Sequence, residues 1–224
     1  MANPATLLLE RLRSWHSDDE NVSADGIRQM GEAATSWPAH ALAVQHLREI
    51  EQILDFLRQR GRNVSVYDSH LSSWYGAVFA YPNGWVDRGT ARISAGALLH
   101  LETLADRLDD YVPAVTDGGL EQIRSYLDNV VSVLATDESL PEALKIHVND
   151  VISHVRWCID NYQIVGDFSL QEAIERLSGS IIRAAANSDD KARWKTVVEQ
   201  FVWPFTVSVI AAIPQAGLVQ LALS

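Results

Sequence analysis

Between positions 36 and 61 the chain reads Ser36-Trp-Pro-Ala-His-Ala-Leu-Ala-Val-Gln-His-Leu-Arg-Glu-Ile-Glu-Gln-Ile-Leu-Asp-Phe-Leu-Arg-Gln-Arg-Gly61. Apolar residues recur here every three or four positions, which is the spacing of one face of an α-helix. They are Leu42, Val44, Leu47, Ile50, Ile53, Leu54 and Leu57. Ser36 suits the N-cap and Gly61 suits the C-terminal end. The stretch therefore predicts a long helix over residues 37–60.

The same spacing predicts helices on both sides of this stretch, over about 4–15, 24–33, 71–80, 95–110 and 120–135. Ser139-Leu-Pro-Glu142 and Ser169-Leu-Gln-Glu172 match the capping box and predict two further helix starts, with Gly166 in the connection between them. Only Val64-Ser-Val-Tyr67 alternates as a strand does, so at most a minor β element is expected near 63–67. The fold class predicted is all-α, a multi-helix bundle ending in a hydrophobic helical segment.

Three regions follow from these elements. Residues 1–112 form an N-terminal helical region that contains an aromatic-rich insert at 63–94, and residues 113–188 form a helical hairpin or bundle. Residues 189–224 combine an amphipathic lead-in with a hydrophobic C-terminal segment.

Composition narrows the classes of function. The net charge of −11 argues against a broad nucleic-acid-binding surface. The single cysteine, Cys158, excludes an internal disulfide framework, and the first residues lack the basic start of a secretory signal. We therefore expect the protein on the cytoplasmic side, either free or held at the inner membrane by its last segment.

The most informative feature is the apolar tail, residues 201–224. The 25 positions from 200 to 224 carry no charged side chain, and the length meets the roughly 20 apolar residues of a bilayer span. Cations and tryptophans before the tail suit the headgroup region. The residues expected to contact the membrane or other copies of the chain are Trp194, Phe201, Trp203, Pro204, Phe205, Ile210, Ile213, Pro214, Gln215, Leu218 and Leu221.

The prolines and glutamines of the tail suit a lone lipid-facing helix poorly. They are tolerated where copies pack together or line a lumen, so the tail fits an oligomeric pore better than a single anchor. The alternative is a soluble oligomeric adaptor or immunity protein, in which the tail packs in a helical interface.

Other clusters offer competing chemistry. The aromatic residues of the insert would line a ligand pocket or an oligomer contact; they are Tyr67, Trp74, Tyr75, Tyr81 and Trp85. Asp68 and His70 near Ser72 and Ser73 are the basis of an enzyme hypothesis with a nucleotide as substrate, although no nucleophile elbow surrounds these serines.

A second set of candidates lies at 147–158. His147, Asp150 and His154 share one helical face as metal ligands would, yet no further ligand set accompanies them. Cys158 is a candidate thiol, with burial as a small apolar residue as its default. Phosphate loops, dinucleotide fingerprints and zinc-protease motifs are missing from the sequence. We therefore predict a non-enzymatic protein without a cofactor or a resident metal.

Residues 120–186 include Glu138-Ser-Leu-Pro-Glu-Ala-Leu144 and Tyr162-Gln-Ile-Val-Gly-Asp-Phe-Ser-Leu-Gln-Glu-Ala-Ile174. This stretch resembles a group of small helical bacterial proteins with a tryptophan-led hydrophobic C-terminus. The order of helical region and hydrophobic segment is also similar to the channel-forming subunit of Hailong-type anti-phage defence. The resemblance implies a homo-oligomeric, pore-forming membrane effector, regulated by a partner protein or by a small nucleotide or oligonucleotide. It assigns no functional residue.

Overall fold

A computed structural model of the chain describes residues 2–206. This part of the chain forms nine helices: α1 (Pro4–Ser14), α2 (Ala24–Arg28), α3 (Ala33–Gln59), α4 (Ser65–Phe79), α5 (Ala95–Leu108), α6 (Gly119–Thr136), α7 (Glu142–Asp160), α8 (Tyr162–Asn187) and α9 (Lys191–Glu199). Its β structure is one isolated antiparallel bridge between Val115 and Phe205. The all-α, multi-helix prediction is confirmed.

The predicted N-cap at Ser36 is wrong. Helix α3 begins at Ala33, so Ser36 lies in its first turn, where its hydroxyl donates to the Glu32 carbonyl at 3.1 Å. A serine hydroxyl bonds backward in this way when it lies inside a helix. The apolar spacing from Leu47 to Leu57 was sufficient to place the helix, because these leucines are fully buried.

Residues 63–67 form no strand. Helix α4 starts at Ser65, and the Asn63 side chain accepts hydrogen bonds from the amide and the hydroxyl of Ser65. Val64 and Tyr67 are both buried three positions apart, as on a helical face. Four alternating residues were too short a pattern to distinguish the two structures.

The capping box at Ser139 is also wrong. Helix α7 has Pro141 at its N-cap and no side-chain cap there, because the Ser139 hydroxyl donates to Asp137 instead. The connection expected at Gly166 is a kink within α8, where Gly166 adopts φ 77° and ψ −174°. The positive φ explains the glycine. Ser169 lies inside the helix just after this kink.

The described residues fall into two compact units. The first, Ala2–Asp110, contains α1 to α5; α1 packs on α3 and α5, and α4 packs on the same two helices. Its core consists of fully buried side chains that include Leu8, Leu12, Leu47, Ile50, Leu54, Trp74, Leu101 and Leu104.

The second unit begins at Tyr111 and contains α6 to α9. Helices α7 and α8 form its most extensive pair, and α9 packs against both α6 and α8. Its core includes Leu127, Val130, Val148, Val155, Leu170, Ile174, Leu177 and Trp194.

Candidate functional site: the attachment of the apolar tail

The lead-in to the tail forms α9, which is fixed to the second unit by Trp194. The Asp190 side chain accepts from the Arg193 amide at 3.1 Å and so caps the helix. Trp194 has no exposed surface, and its indole Nε1–H donates to Asp137 Oδ2 at 2.7 Å. A tryptophan that the sequence suggested for the headgroup region is thus a core residue here.

The carboxylate of Asp137 collects hydrogen bonds from three segments. The Ser139 amide and hydroxyl donate to Oδ1 at 2.9 and 2.6 Å, and the Ser188 hydroxyl donates to Oδ2 at 2.5 Å beside Trp194. We call Asp137, Ser139, Ser188 and Trp194 the Asp137 cluster. Burial alone would raise the pKa of Asp137, but donation from Ser139, Ser188 and Trp194 outweighs it and holds that pKa well below the usual range.

Residues 200–206, which we call the docking segment, continue from α9 and pair with the chain before α6. The Thr116 amide donates to the Pro204 carbonyl at 2.8 Å, and the Thr206 amide donates to the Ala114 carbonyl at 2.8 Å. Two side-chain bonds extend this pairing: the Thr116 hydroxyl donates to the Pro204 carbonyl, and the Ala114 amide donates to the Thr206 hydroxyl. Phe205 is buried at the centre of the pairing.

The strand-like partner of the docking segment is itself held by Asp167. The Val115 amide and the Tyr162 hydroxyl both donate to Asp167 Oδ1, at 2.9 and 2.5 Å, and Asp167 is almost completely buried. Burial first, and then the hydrogen bond to Asp167, raise the pKa of Tyr162. Val115 is therefore held by Asp167, while its neighbours Ala114 and Thr116 form the hydrogen bonds to the docking segment.

Gly119, the first residue of α6, is required by the closeness of this contact. A Cβ at this position would lie 2.8 Å from Val115 Cγ1 and 2.9 Å from the Pro204 carbonyl oxygen. Both distances are shorter than van der Waals contact, and one neighbour is backbone. A side chain here would push the docking segment away.

Aromatic rings extend the attachment along α6. The Tyr126 ring meets Phe201 edge-to-face at 5.2 Å, and Trp203 lies 6.3 Å from Phe201 and 5.1 Å from Phe205, measured between ring centroids. The Tyr126 hydroxyl donates to the Val197 carbonyl at 3.2 Å, and burial raises the pKa of Tyr126. The Asn129 amide donates to Gln200 at 2.8 Å.

A cleft of about 770 Å³ opens between α6 and the docking segment. Ile123, Tyr126 and Phe201 supply apolar wall, and the remaining lining residues are mostly polar: Gly118, Glu121, Gln122, Ser125, Asn129, Gln200 and Val202. The volume lies within the range of small-molecule pockets. The attachment therefore borders solvent on one side.

Of the predicted tail residues, the structure brings Phe201, Trp203, Pro204 and Phe205 together in the docking segment, whereas Trp194 is buried beside Asp137 at the C-terminal end of α6. Ile210, Ile213, Pro214, Gln215, Leu218 and Leu221 lie outside the described residues. Of the helices in the described part of the chain, none combines the length and the apolar character that crossing a bilayer takes.

The aromatic residues of the insert do not share one site. Tyr67 and Trp74 are core residues, and the Trp74 indole donates to the Ala97 carbonyl at 2.9 Å. Tyr75 is partly buried and donates to Glu51 at 3.1 Å. Trp85 lies against His40 and Arg28, whereas Tyr81 is 77% exposed.

The groups of the enzyme hypothesis have separate partners. Asp68 pairs with Arg58 at 2.7 Å. His70 stacks on His100 at 3.9 Å between ring centroids; burial first, and then His100, lower the pKa of His70. Ser72 and Ser73 are exposed on α4.

The metal and thiol candidates are likewise dispersed. His147 Nε2 lies 3.2 Å from the Ser180 hydroxyl, and His154 stacks on Trp157. Within residues 2–206 no three histidine, cysteine, aspartate or glutamate side chains converge as metal ligands. Cys158 is buried, 3.9 Å from His154 Nε2.

Sequence reasoning missed Asp137 and Asp167, although a signal existed for the first. Asp137 is the C-cap of α6, where a carboxylate is repelled by the carbonyl end of the helix dipole. An acid at this position needs donors from elsewhere, and it finds one of them 57 positions away in Trp194.

Comparisons with known proteins assign no family and no function to the chain. No protein-family model, curated protein or solved structure matches the chain.

Proposed function

We propose that the chain is a non-enzymatic membrane effector, whose second unit holds the start of the apolar tail and delivers the rest of it to a bilayer. The observation that carries this proposal is the attachment itself. Residues 194–206 are bound through a buried tryptophan, four hydrogen bonds to residues 114–116 and a row of aromatic rings. The 18 residues beyond Thr206 carry no charged side chain.

Attachment of this kind suits a segment that acts away from its own unit. The attachment holds the start of the tail against the second unit, and its release frees the remaining residues to pack with tails from several copies. Their prolines and glutamines then face neighbouring tails or water, where polar groups in a membrane are tolerated. The effector is accordingly oligomeric, and the tails together form a pore.

The setting of bacterial anti-phage defence rests on the architectural resemblance alone. Opening a pore in the inner membrane would stop growth of an infected cell without any catalytic step. A partner protein or a small nucleotide or oligonucleotide would trigger release in that setting.

Dye release tests the proposal. Full-length protein is added to vesicles of phosphatidylethanolamine and phosphatidylglycerol that contain carboxyfluorescein. We expect leakage that increases when Asp137→Asn loosens the attachment and that is lost in an Ile210→Lys, Ile213→Lys double variant. Val202→Lys is the matched control and should leave leakage unchanged, because Val202 is 65% exposed in the docking segment. No leakage from either the native chain or Asp137→Asn would contradict the proposal.

A soluble oligomeric adaptor is the second candidate function, and the burial of Phe205 and Trp194 favours it. The first part of the tail already packs against protein, and the rest would do the same in an interface between copies. Light scattering on detergent-free protein separates the two functions. A discrete oligomer that is lost when the tail is removed supports the adaptor, whereas aggregation that detergent relieves supports the membrane effector.

A further inference from the structure

Two adjoining clefts in the first unit have no part in the proposed function. One, of about 380 Å³, lies between the C-terminal half of α4, the turn after it and the start of α5. The other, of about 430 Å³, lies beside it. Four residues line both clefts: Asn83, Arg92, Ile93 and Ser94. Arg92 is therefore at the junction of one continuous depression.

The charge of the first cleft is positive although the chain is acidic overall. Among the described residues that line it, only Arg92 is charged at neutral pH. Its Nε lies 4.0 Å from Asp18 Oδ1, and the two side chains are 63% and 81% exposed. Such an exposed, long pair contributes little, so the guanidinium remains suited to an anionic ligand.

Polar residues line the same cleft as this guanidinium. The hydroxyls of Ser72, Ser73 and Ser94 and the amide of Asn83 line the same cleft. A guanidinium with five N–H donors, accompanied by hydroxyls, matches the several acceptor oxygens of a phosphoryl group. Asp18 lines only the second cleft, which disfavours an anion on that side.

An aromatic ring lies at the edge of the first cleft. Tyr81 lines it and is 77% exposed, in a turn that follows α4. Exposed tyrosine rings stack on planar ligand rings with little regard to the identity of the ring. The cleft thus offers an anion-binding end and a ring-binding end within a volume suited to a small molecule.

We propose that this cleft, which we call the Arg92 cleft, binds a small phosphomonoester that carries a planar ring. The phosphoryl group contacts Arg92 and the serine hydroxyls, and the ring stacks on Tyr81. All contributing residues belong to the first unit, so binding here is tested independently of the tail.

Calorimetric titration with phenyl phosphate tests whether the charge of Arg92 contributes to binding. We expect the full-length protein to bind phenyl phosphate more tightly than phenol, and more weakly as salt increases. Arg92→Gln should weaken binding at least about tenfold, because a charge-assisted hydrogen bond is lost. Arg88→Gln, an exposed arginine that lines neither cleft, should leave the affinity within about twofold. Undetectable binding at millimolar phenyl phosphate, or equal weakening by both variants, would overturn the proposal.

A second pair of variants tests the ring. Tyr81→Leu should reduce the affinity for phenyl phosphate to that for inorganic phosphate and leave the latter unchanged. Phe79→Leu serves as the control and should leave the affinity for phenyl phosphate unchanged, since Phe79 is 49% exposed but does not line the cleft. If Tyr81→Leu leaves the preference for phenyl phosphate over phosphate intact, the ring-binding assignment is wrong. Unchanged melting temperatures for all four variants exclude loss of folding as the cause.

Discussion

Arg28 in the first unit and Asp137 in the second are both buried charged side chains, yet their surroundings differ. The Arg28 guanidinium lies 4.6 Å from the Trp15 ring centroid and 5.1 Å from that of Trp85, and it donates to the carbonyls of Ala77 and Val78. Its Nε has no hydrogen-bond partner among the described residues. Burial lowers the pKa of Arg28 to about 10, so it stays charged at neutral pH.

Asp137, in contrast, receives donors on both carboxylate oxygens, and these lower its pKa instead of opposing its charge. The difference shows which of the two buried charges holds the segment that leads to the tail. Rings and two carbonyls hold Arg28 inside one folded unit, whereas the donors to Asp137 come from three separate segments, one of which leads to the tail. We therefore expect the loss of Asp137 to weaken the attachment of α9 as well as to destabilise the core.

The largest effect is expected from Trp194→Ala. Removing a fully buried tryptophan leaves a cavity and takes away one of the two donors to Asp137 Oδ2, which together cost about 3–5 kcal/mol of unfolding free energy. Urea unfolding followed by circular dichroism measures this loss. Trp157→Ala is the matched control, because Trp157 is 45% exposed, and a loss of the same size there would break the comparison.

Asp137→Ala should follow, with a loss of about 2–4 kcal/mol, because the Trp194 indole and the Ser188 hydroxyl are left buried without an acceptor. The same unfolding measurement checks it. Asp128→Ala removes an exposed carboxylate that pairs with Arg156, and we expect about 1 kcal/mol or less from it. Equal losses from the two alanine variants would show that the Asp137 cluster is not a special contact.

Arg28→Met should cost less, about 1–2 kcal/mol. Methionine keeps apolar contact with Trp15 and Trp85, while the cation–π contacts and two charge-assisted bonds are lost. The unfolding midpoint in urea measures the change. If Arg28→Met is more destabilising than Asp137→Ala, the contrast between the two buried charges is reversed.

The smallest effect is expected from mild acid. The folded pKa of Asp137 lies below its unfolded value, so its stabilisation is complete above about pH 4 and is lost as pH falls toward the folded pKa. Between pH 7 and pH 3 this one group should account for about 1 kcal/mol. The Asp137→Asn variant should lose less stability than the native chain over this interval, and parallel acid curves for the two proteins would contradict the assignment.

Much of the fold follows from the sequence, because helices such as α3, α5 and α6 show apolar residues at helical spacing and bury them. The predictions that were wrong concern residues whose hydrogen-bond partners lie far away in the sequence. Ser139 looked like an N-cap, but its hydroxyl is used by Asp137 and also accepts from the Asp189 amide 50 positions away. Trp194 looked like an interfacial residue because nothing near it in the sequence indicates the buried carboxylate that it contacts.

The candidate site shows the same limit. The tail was recognisable from its lack of charge, which is a local property of the sequence. Its attachment was not, since residues 114–116 carry no pattern that predicts pairing with Pro204 and Thr206. Only Gly119, the first residue of α6, marks in the sequence a place where backbone comes close.

The proposed delivery of the tail is tested by a fluorescent probe within it. Ile213→Cys in a Cys158→Ala background provides one labelling position, to which a polarity-sensitive NBD dye is attached. We predict that adding phosphatidylethanolamine and phosphatidylglycerol vesicles shifts NBD emission to the blue and protects the dye from an aqueous quencher, and that Asp137→Asn increases both changes. Emission that stays unshifted and fully quenched with vesicles, in the native background and in Asp137→Asn alike, would contradict it.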